Sequence, residues 1–141
     1  MTTAIRPTFS WRLRVYWEDT DAGGVVYHAG YLRFLERART EWLRARGLGQ
    51  TELREHLGVL FVVRGIDVAF DKPARLDDEL DATVALSHRR GASLELQQTL
   101  RRVSAGEILM RAQVRVACID SKTWQPRRIP DEVAALIEGN S

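Results

Sequence analysis

The sequence predicts an α+β fold: an antiparallel sheet packed against one long helix. Two observations carry this. Apolar residues recur at helical spacing over 29–46, and from 66 onward they alternate with period two in successive runs. One amphipathic helix and one sheet with a single apolar face bury each other most simply as two layers.

The elements follow in order. Phe9, Trp11, Leu13, Val15 and Trp17 alternate with Ser10, Arg12, Arg14 and Tyr16, which reads as a half-buried strand. An acidic, glycine-containing turn follows. Tyr31, Phe34, Leu35, Ala38, Trp42 and Leu43 then share one helical face, with Glu36, Arg37, Arg39, Glu41 and Arg44 on the rest. Glu41 can pair with Arg37 or Arg44. Arg44 and Arg46 suit the negative end of the helix dipole, and Gly47 suits the position after the last turn. A short second helix is expected over 51–57.

Strands follow. Ile66, Val68 and Phe70 alternate until Asp71-Lys72-Pro73 breaks the run. Leu80, Ala82, Val84 and Leu86 form the next strand, ended by Arg89-Arg90-Gly91. Leu94, Leu96, Gln98 and Leu100 lead to the turn Ser104-Ala105-Gly106. Ile108, Met110, Ala112, Val114, Val116 and Cys118 give a long alternation, and a helical turn is expected over 131–138. A single sheet layer leaves strand edges open, so pairing between copies is expected.

The totals fit one domain over 1–141. The 141 residues are 45% hydrophobic and 28% charged, an ordinary globular balance. A formal charge of +2 argues against a dedicated nucleic-acid binder. No apolar run approaches the ~20 residues of a membrane span, and residues 1–10 lack the apolar core of a signal peptide. The lone Cys118 excludes an intramolecular disulfide and suits a reducing cytoplasm.

Function concentrates in Glu18-Asp19-Thr20-Asp21-Ala22-Gly23-Gly24-Val25-Val26-Tyr27-His28. A calcium loop would need an oxygen ligand at Gly23 and a glutamate at Gly30, and has neither. His28, His56 and His88 lack zinc spacing, so no metal is expected. Gly-x-Ser-x-Gly, Walker and dinucleotide patterns are missing, and no cofactor is expected. A carboxylate here can attack a carbonyl or activate water, given a donor for the developing oxyanion. His28, Ala29 and Gly30 offer no capping side chain, so the first-turn N–H groups are free to bind a substrate oxygen. Gly23 and Gly24 let backbone come close. Alternatively, Asp19 or Asp21 simply caps the turn. His28 could shuttle a proton or merely start the helix. Cys118, on an apolar face, reads as core. Arg89-Arg90, Arg101-Arg102 and Arg127-Arg128 could hold phosphates or form a solvated surface.

The stretch from Val15 through His28, continuing through Tyr31 and Phe34-Leu35-Glu36-Arg37-Ala38-Arg39-Thr40-Glu41, resembles the hotdog-fold acyl-CoA thioesterases. Within them it is most similar to the YbgC-type enzymes of the Tol-Pal system, relatives of 4-hydroxybenzoyl-CoA thioesterase. The similarity extends to Phe70-Asp71-Lys72-Pro73-Ala74-Arg75-Leu76-Asp77-Asp78, Arg90-Gly91-Ala92-Ser93-Leu94 and Pro126-Arg127-Arg128-Ile129-Pro130. It implies hydrolysis of an acyl-CoA thioester by a homo-oligomer, a dimer at minimum and often a tetramer. The family's catalytic carboxylate falls on Asp21, as nucleophile or general base, and its helix-entrance amide on His28. Gly24, Tyr27 and His28 then form the oxyanion-binding backbone, with His28 also a catalytic candidate. Arg89, Arg90, Ser93 and Arg128 fall in segments resembling the CoA-contacting region. Acyl carrier protein or lipid-synthesis enzymes are further partners of such proteins. The alternative is a non-catalytic hotdog scaffold that binds acyl-CoA or an acyl carrier. One departure stands out: YbgC-type enzymes often carry tyrosine four residues before the aspartate, and Trp17 has no phenolic hydroxyl.

Overall fold

The computed structural model describes residues 8–138. The leader reading of 1–10 and the domain bounds 1–141 extend beyond these residues. Five antiparallel strands form one sheet in the order β1-β3-β4-β5-β2. They are β1 (Phe9–Arg14), β2 (Val59–Phe70), β3 (Glu79–Arg89), β4 (Ser93–Arg102) and β5 (Ile108–Asp120). The helices are α1 (His28–Arg44), a single turn α2 (Gln50–Glu52) that continues as a wider turn through Leu53–Leu57, and α3 (Asp131–Ile137). The architecture is the expected α+β.

Helix α1 lies across β3, β1 and β4. Its apolar stripe is buried as the spacing predicts, with Phe34, Leu35 and Ala38 fully covered and Tyr31, Trp42 and Leu43 nearly so. Each large side chain of this stripe contributes about 1.5–3 kcal/mol of burial free energy. Opposite them stand Leu80, Ala82, Val84 and Leu86 of β3, Leu94, Leu96 and Leu100 of β4, and Met110, Val114 and Cys118 of β5. The other sheet face is polar: Arg12 pairs with Asp81 at 3.0 Å and Arg115 with Asp67 at 2.8 Å. Glu41 pairs with Arg44 at 2.6 Å. Gly47 closes the helix at φ +77°, where only glycine is unstrained.

Three expectations need correction. The first strand stops at Arg14, and Trp17–Asp19 forms a 3-10 turn instead. Trp17 is therefore 82% exposed, not on the apolar face. The turn forms because the Asp19 carboxylate, itself buried, accepts the Tyr16 N–H at 2.8 Å. Second, β2 begins at Val59, seven residues before its alternation. Val59, Leu60, Phe61, Val62 and Val63 are continuously apolar and hide the period, and an irregularity between Val63 and Gly65 shifts the phase. Third, Arg39 does not lie on the solvent side of α1. It turns inward, and its Nη1 donates to Gln98 Oε1 at 2.8 Å.

Candidate active site

The acidic turn is a tight hairpin. Asp21 N–H donates to the Val25 carbonyl at 2.9 Å, Gly24 N–H donates back to the Asp21 carbonyl at 3.0 Å, and Thr20 bridges to Val26. Gly24 sits at φ +77°, a conformation that costs a residue with a Cβ. The hairpin is tied to the segment before β3. Val26 N–H donates to the Ala74 carbonyl at 2.9 Å and Leu76 N–H to the Gly24 carbonyl at 3.2 Å.

The two aspartates have different surroundings. Asp19 is buried and committed to the backbone of Tyr16. Asp21 is exposed. Its Oδ1 accepts the Gly23 N–H at 2.8 Å, which fixes the side chain, and its Oδ2 has no partner among the described residues. Both therefore hold the turn with one oxygen each, and Asp21 presents its other oxygen at the surface while Asp19 is buried. The sequence leaves the choice between them open because both are carboxylates in one turn; burial separates them.

Helix α1 begins at His28 without a side-chain cap, and its N-cap residue is Tyr27. Gly30 N–H returns to the Tyr27 carbonyl at 2.8 Å, while the His28 and Ala29 N–H groups donate to nothing among the described residues. These two donors point out of the positive end of a helix of 17 residues. Gly30 is needed for this fit: a Cβ there would come within 2.8 Å of Val26 Cγ1. Hairpin and helix entrance are thus packed together through Val26 and Gly30.

Two residues that sequence reasoning did not single out pack at the helix start. Phe70, at the end of β2, stacks on the His28 ring at 4.5 Å and 22°. Tyr31 tilts against Phe70 at 5.2 Å, and its hydroxyl accepts the Ala74 N–H at 2.9 Å. Tyr31 carried a signal, because a buried phenol on an apolar stripe needs a polar partner. Val25, Val26, His28, Tyr31, Phe70 and Pro73 line a shallow pocket of about 250 Å³ here. The exposed rings of Tyr16, Trp17 and Tyr27 flank it in sequence.

The arginine candidates lie elsewhere. Arg14 pairs with Glu79 at the start of β3, beside the acidic hairpin, whereas Arg89 ends that strand. Ten residues of strand separate them, about 30 Å at ~3.3 Å per residue. At that far end Arg89 Nε donates to Glu138 at 2.7 Å. Arg90 is exposed and joined by backbone to Ser93, and Arg128 lies 3.6 Å from Asp131. Ile129 N–H donates to the Gly91 carbonyl at 2.8 Å, which brings the Arg90 and Arg128 segments side by side. One chain thus gathers Asp21, Gly24, Tyr27 and His28, and separately Arg89, Arg90, Ser93 and Arg128.

Among the described residues no group of three or more His, Cys, Asp or Glu side chains is arranged to hold a metal ion. No helix there is long and apolar enough to cross a membrane. Burial pushes the Cys118 thiol up to about 11, so this cysteine is a protonated core residue at neutral pH.

A long helix laid against a five-stranded antiparallel sheet is the hotdog architecture, and here an acidic hairpin leads into the uncapped helix start. The family model described as Thioesterase-like superfamily matches residues 15–137, and the chain belongs to that family. It is 47% identical over 128 residues to the acyl-CoA thioester hydrolase YbgC of Escherichia coli O6:H1, covering 90% of this chain and 93% of the relative. Among solved structures it resembles a probable thioesterase from Bartonella henselae, with TM-score 0.82 and 36% identity, over 88% of this chain and 100% of that one. A 1,4-dihydroxy-2-naphthoyl-CoA thioesterase from Synechocystis shares the fold at TM-score 0.85 and 22% identity, over 93% of this chain and 96% of that one.

Proposed function

We propose that Asp21 is the working group of thioester hydrolysis, acting on a carbonyl polarised by the helix start at His28. The chain is an acyl-CoA thioester hydrolase by its family, and the mechanism is read from its own residues. The observation that carries it is the contrast between Asp19, buried, and Asp21, exposed on the hairpin that leads into the free helix donors. The substrate carbonyl oxygen accepts from the His28 N–H, and the positive helix end stabilises the oxyanion as it forms. Asp21 Oδ2 either attacks the carbonyl carbon or takes a proton from an attacking water. The C–S bond then breaks, and the CoA thiolate takes up a proton as it leaves. When Asp21 attacks, water hydrolyses the resulting anhydride and restores the carboxylate.

The proposal includes a homodimer. Strand β2 is a free sheet edge of 12 residues, and α1 leaves it largely uncovered. Two copies paired antiparallel along β2 satisfy both edges. The strand's centre falls between Arg64 and Gly65, so Phe70 of one copy, with its His28, comes beside Val59–Phe61 of the other. Such pairing also offers a way to bring the arginines of one copy towards the acidic hairpin of another. There Arg89, Arg90, Ser93 and Arg128 would meet the nucleotide end of CoA. A cytoplasmic location agrees with the single buried Cys118.

The deciding experiment compares wild type and Asp21→Asn on a panel of acyl-CoAs, read by free thiol release. The amide is nearly isosteric and can act as neither nucleophile nor base, so turnover should fall about 100-fold or more. The melting temperature should hold. A folded variant that keeps most of its activity removes Asp21 from the chemistry. A wild type that binds acyl-CoA without hydrolysing it makes the chain a scaffold instead.

A further inference from the structure

A second cavity, of about 360 Å³, opens beside the C-terminal half of α1. Its wall is mostly apolar: Trp42 and Leu43 of the helix, Phe61 and Val63 of β2, and Leu96 of β4. One cation breaks that lining. Arg39 reaches in from α1 and is held by Gln98, which is 1% exposed. Gln98 is itself fixed, its Nε2 donating to the Leu35 carbonyl at 3.2 Å. Arg39 makes no ion pair among the described residues, and one hydrogen bond leaves most of its guanidinium donors unused. Burial lowers its pKa, the sign of a cation held away from water. Arg39 is half-buried, and a partly desolvated guanidinium with spare donors gains when a ligand supplies acceptors.

We infer that this cavity takes the acyl group of the substrate, and that Arg39 selects acyl groups with an oxygen acceptor at their far end. The inference rests on the acyl-CoA reading and names its substrate class. Placement supports it. Phe61 and Val63 line the cavity while Phe70, on the same strand, stacks on His28. Antiparallel pairing along β2 therefore sets the cavity of one copy next to the helix start of the other. An acyl chain entering there meets apolar walls first and the guanidinium last. The other polar groups are placed differently. Gln50 Nε2 is spent on the Phe61 carbonyl at 3.4 Å, and Glu36 is exposed at the rim. A guanidinium accepts a terminal hydroxyl or a terminal carboxylate as partner, and the exposed Glu36 charge at the rim, screened by water, weakens but does not reverse its attraction for the carboxylate.

The test uses chain-matched substrates: hexanoyl-CoA, 6-hydroxyhexanoyl-CoA and adipoyl-CoA. Wild type should favour 6-hydroxyhexanoyl-CoA over hexanoyl-CoA by about tenfold in kcat/KM, the scale of one hydrogen bond to a charged group. Adipoyl-CoA should also be favoured over hexanoyl-CoA. Arg39→Met should bring the hydroxyl preference close to one, a ratio that a merely structural role would not move. Arg39→Gln, which keeps a polar contact to Gln98, is the second variant and should cut the ratio too. Equilibrium binding of S-hexyl-CoA and S-(6-hydroxyhexyl)-CoA to wild type reads the same preference without turnover. Failure of all hydrolysis would then sink the mechanism, while the thioethers still decide the role of Arg39. Equal binding of the two thioethers, or an unchanged ratio in folded Arg39 variants, overturns the inference.

Discussion

Asp19 and Asp21 show how two identical side chains, two residues apart, take different work. Asp19 is buried and bonded to the Tyr16 amide, so removing it costs the turn a part-buried hydrogen bond, about 1 kcal/mol. His28 divides in the same way between backbone and ring. Its amide is an unused donor at the helix start, while its ring packs on Phe70. His28→Ala keeps the amide and loses the packing, so kcat should fall about tenfold through mispositioning. Loss as complete as in Asp21→Asn, with folding intact, would move the role to the imidazole. Cys118 makes a pH-dependent prediction. Its thiol titrates near 9.0 in the unfolded chain and at about 11 in the fold. Between those values the unfolded chain binds fewer protons, so this group's contribution lowers stability as pH rises through that window. Iodoacetamide should label native protein at pH 8 far more slowly than protein unfolded in urea. Equal labelling rates would place the thiol at the surface.

Strand β3 sets the distances at the scale of elements. Its start carries the acidic hairpin, through Arg14 and Glu79, and its end carries Arg89. Arg89 is also tied to Glu138 after α3, whereas the Arg90 side chain has no such partner among the described residues. The double variant Arg89→Ala with Arg90→Ala should raise KM for acyl-CoA with little change in kcat. Remote binding lost equally from ground and transition states appears in KM. Acyl-N-acetylcysteamine thioesters, which lack the nucleotide, should be almost unaffected. Equal damage to both substrate types would mean that these arginines serve the fold. Helix α1 works at both ends. Its missing cap leaves donors at the front, and its inward Arg39 furnishes the cavity behind.

The whole molecule places its apolar helix start, its free edge β2 and its cavity along one side. That arrangement asks for a second copy. Val63 lies next to the centre of β2 and is 45% exposed in the single chain. In antiparallel pairing about that centre Val63 of one copy faces Ile66 of the other, so Val63→Glu would set a charge against an apolar side chain at two places in the seam. The variant should sediment as a monomer at micromolar concentration and lose activity in parallel, both returning as protein concentration rises. A Val63→Glu protein that stays dimeric and active rules out β2 as the interface.

By itself the sequence determined the local periods, and with them the elements. Helical spacing marked α1 to within two residues at its end, and alternation marked β3, β4 and β5. The motif from Glu18 to His28 marked the candidate site, because carboxylates, glycines and an uncapped helix start are properties of neighbouring residues. The rest needed tertiary structure. The continuous apolar run from Val59 became strand only because β5 pairs with it. Arg39 looked like a solvent residue until the buried Gln98 of β4 gave it an inward partner. Trp17 left the apolar face when Asp19 turned the chain. The burial that sets Asp19 apart from Asp21, and the length of β3 that sets Arg89 apart from the hairpin, came only with the fold. Each depends on contacts between residues far apart in the chain, and a local pattern reports only which face a residue shares, not what that face will meet.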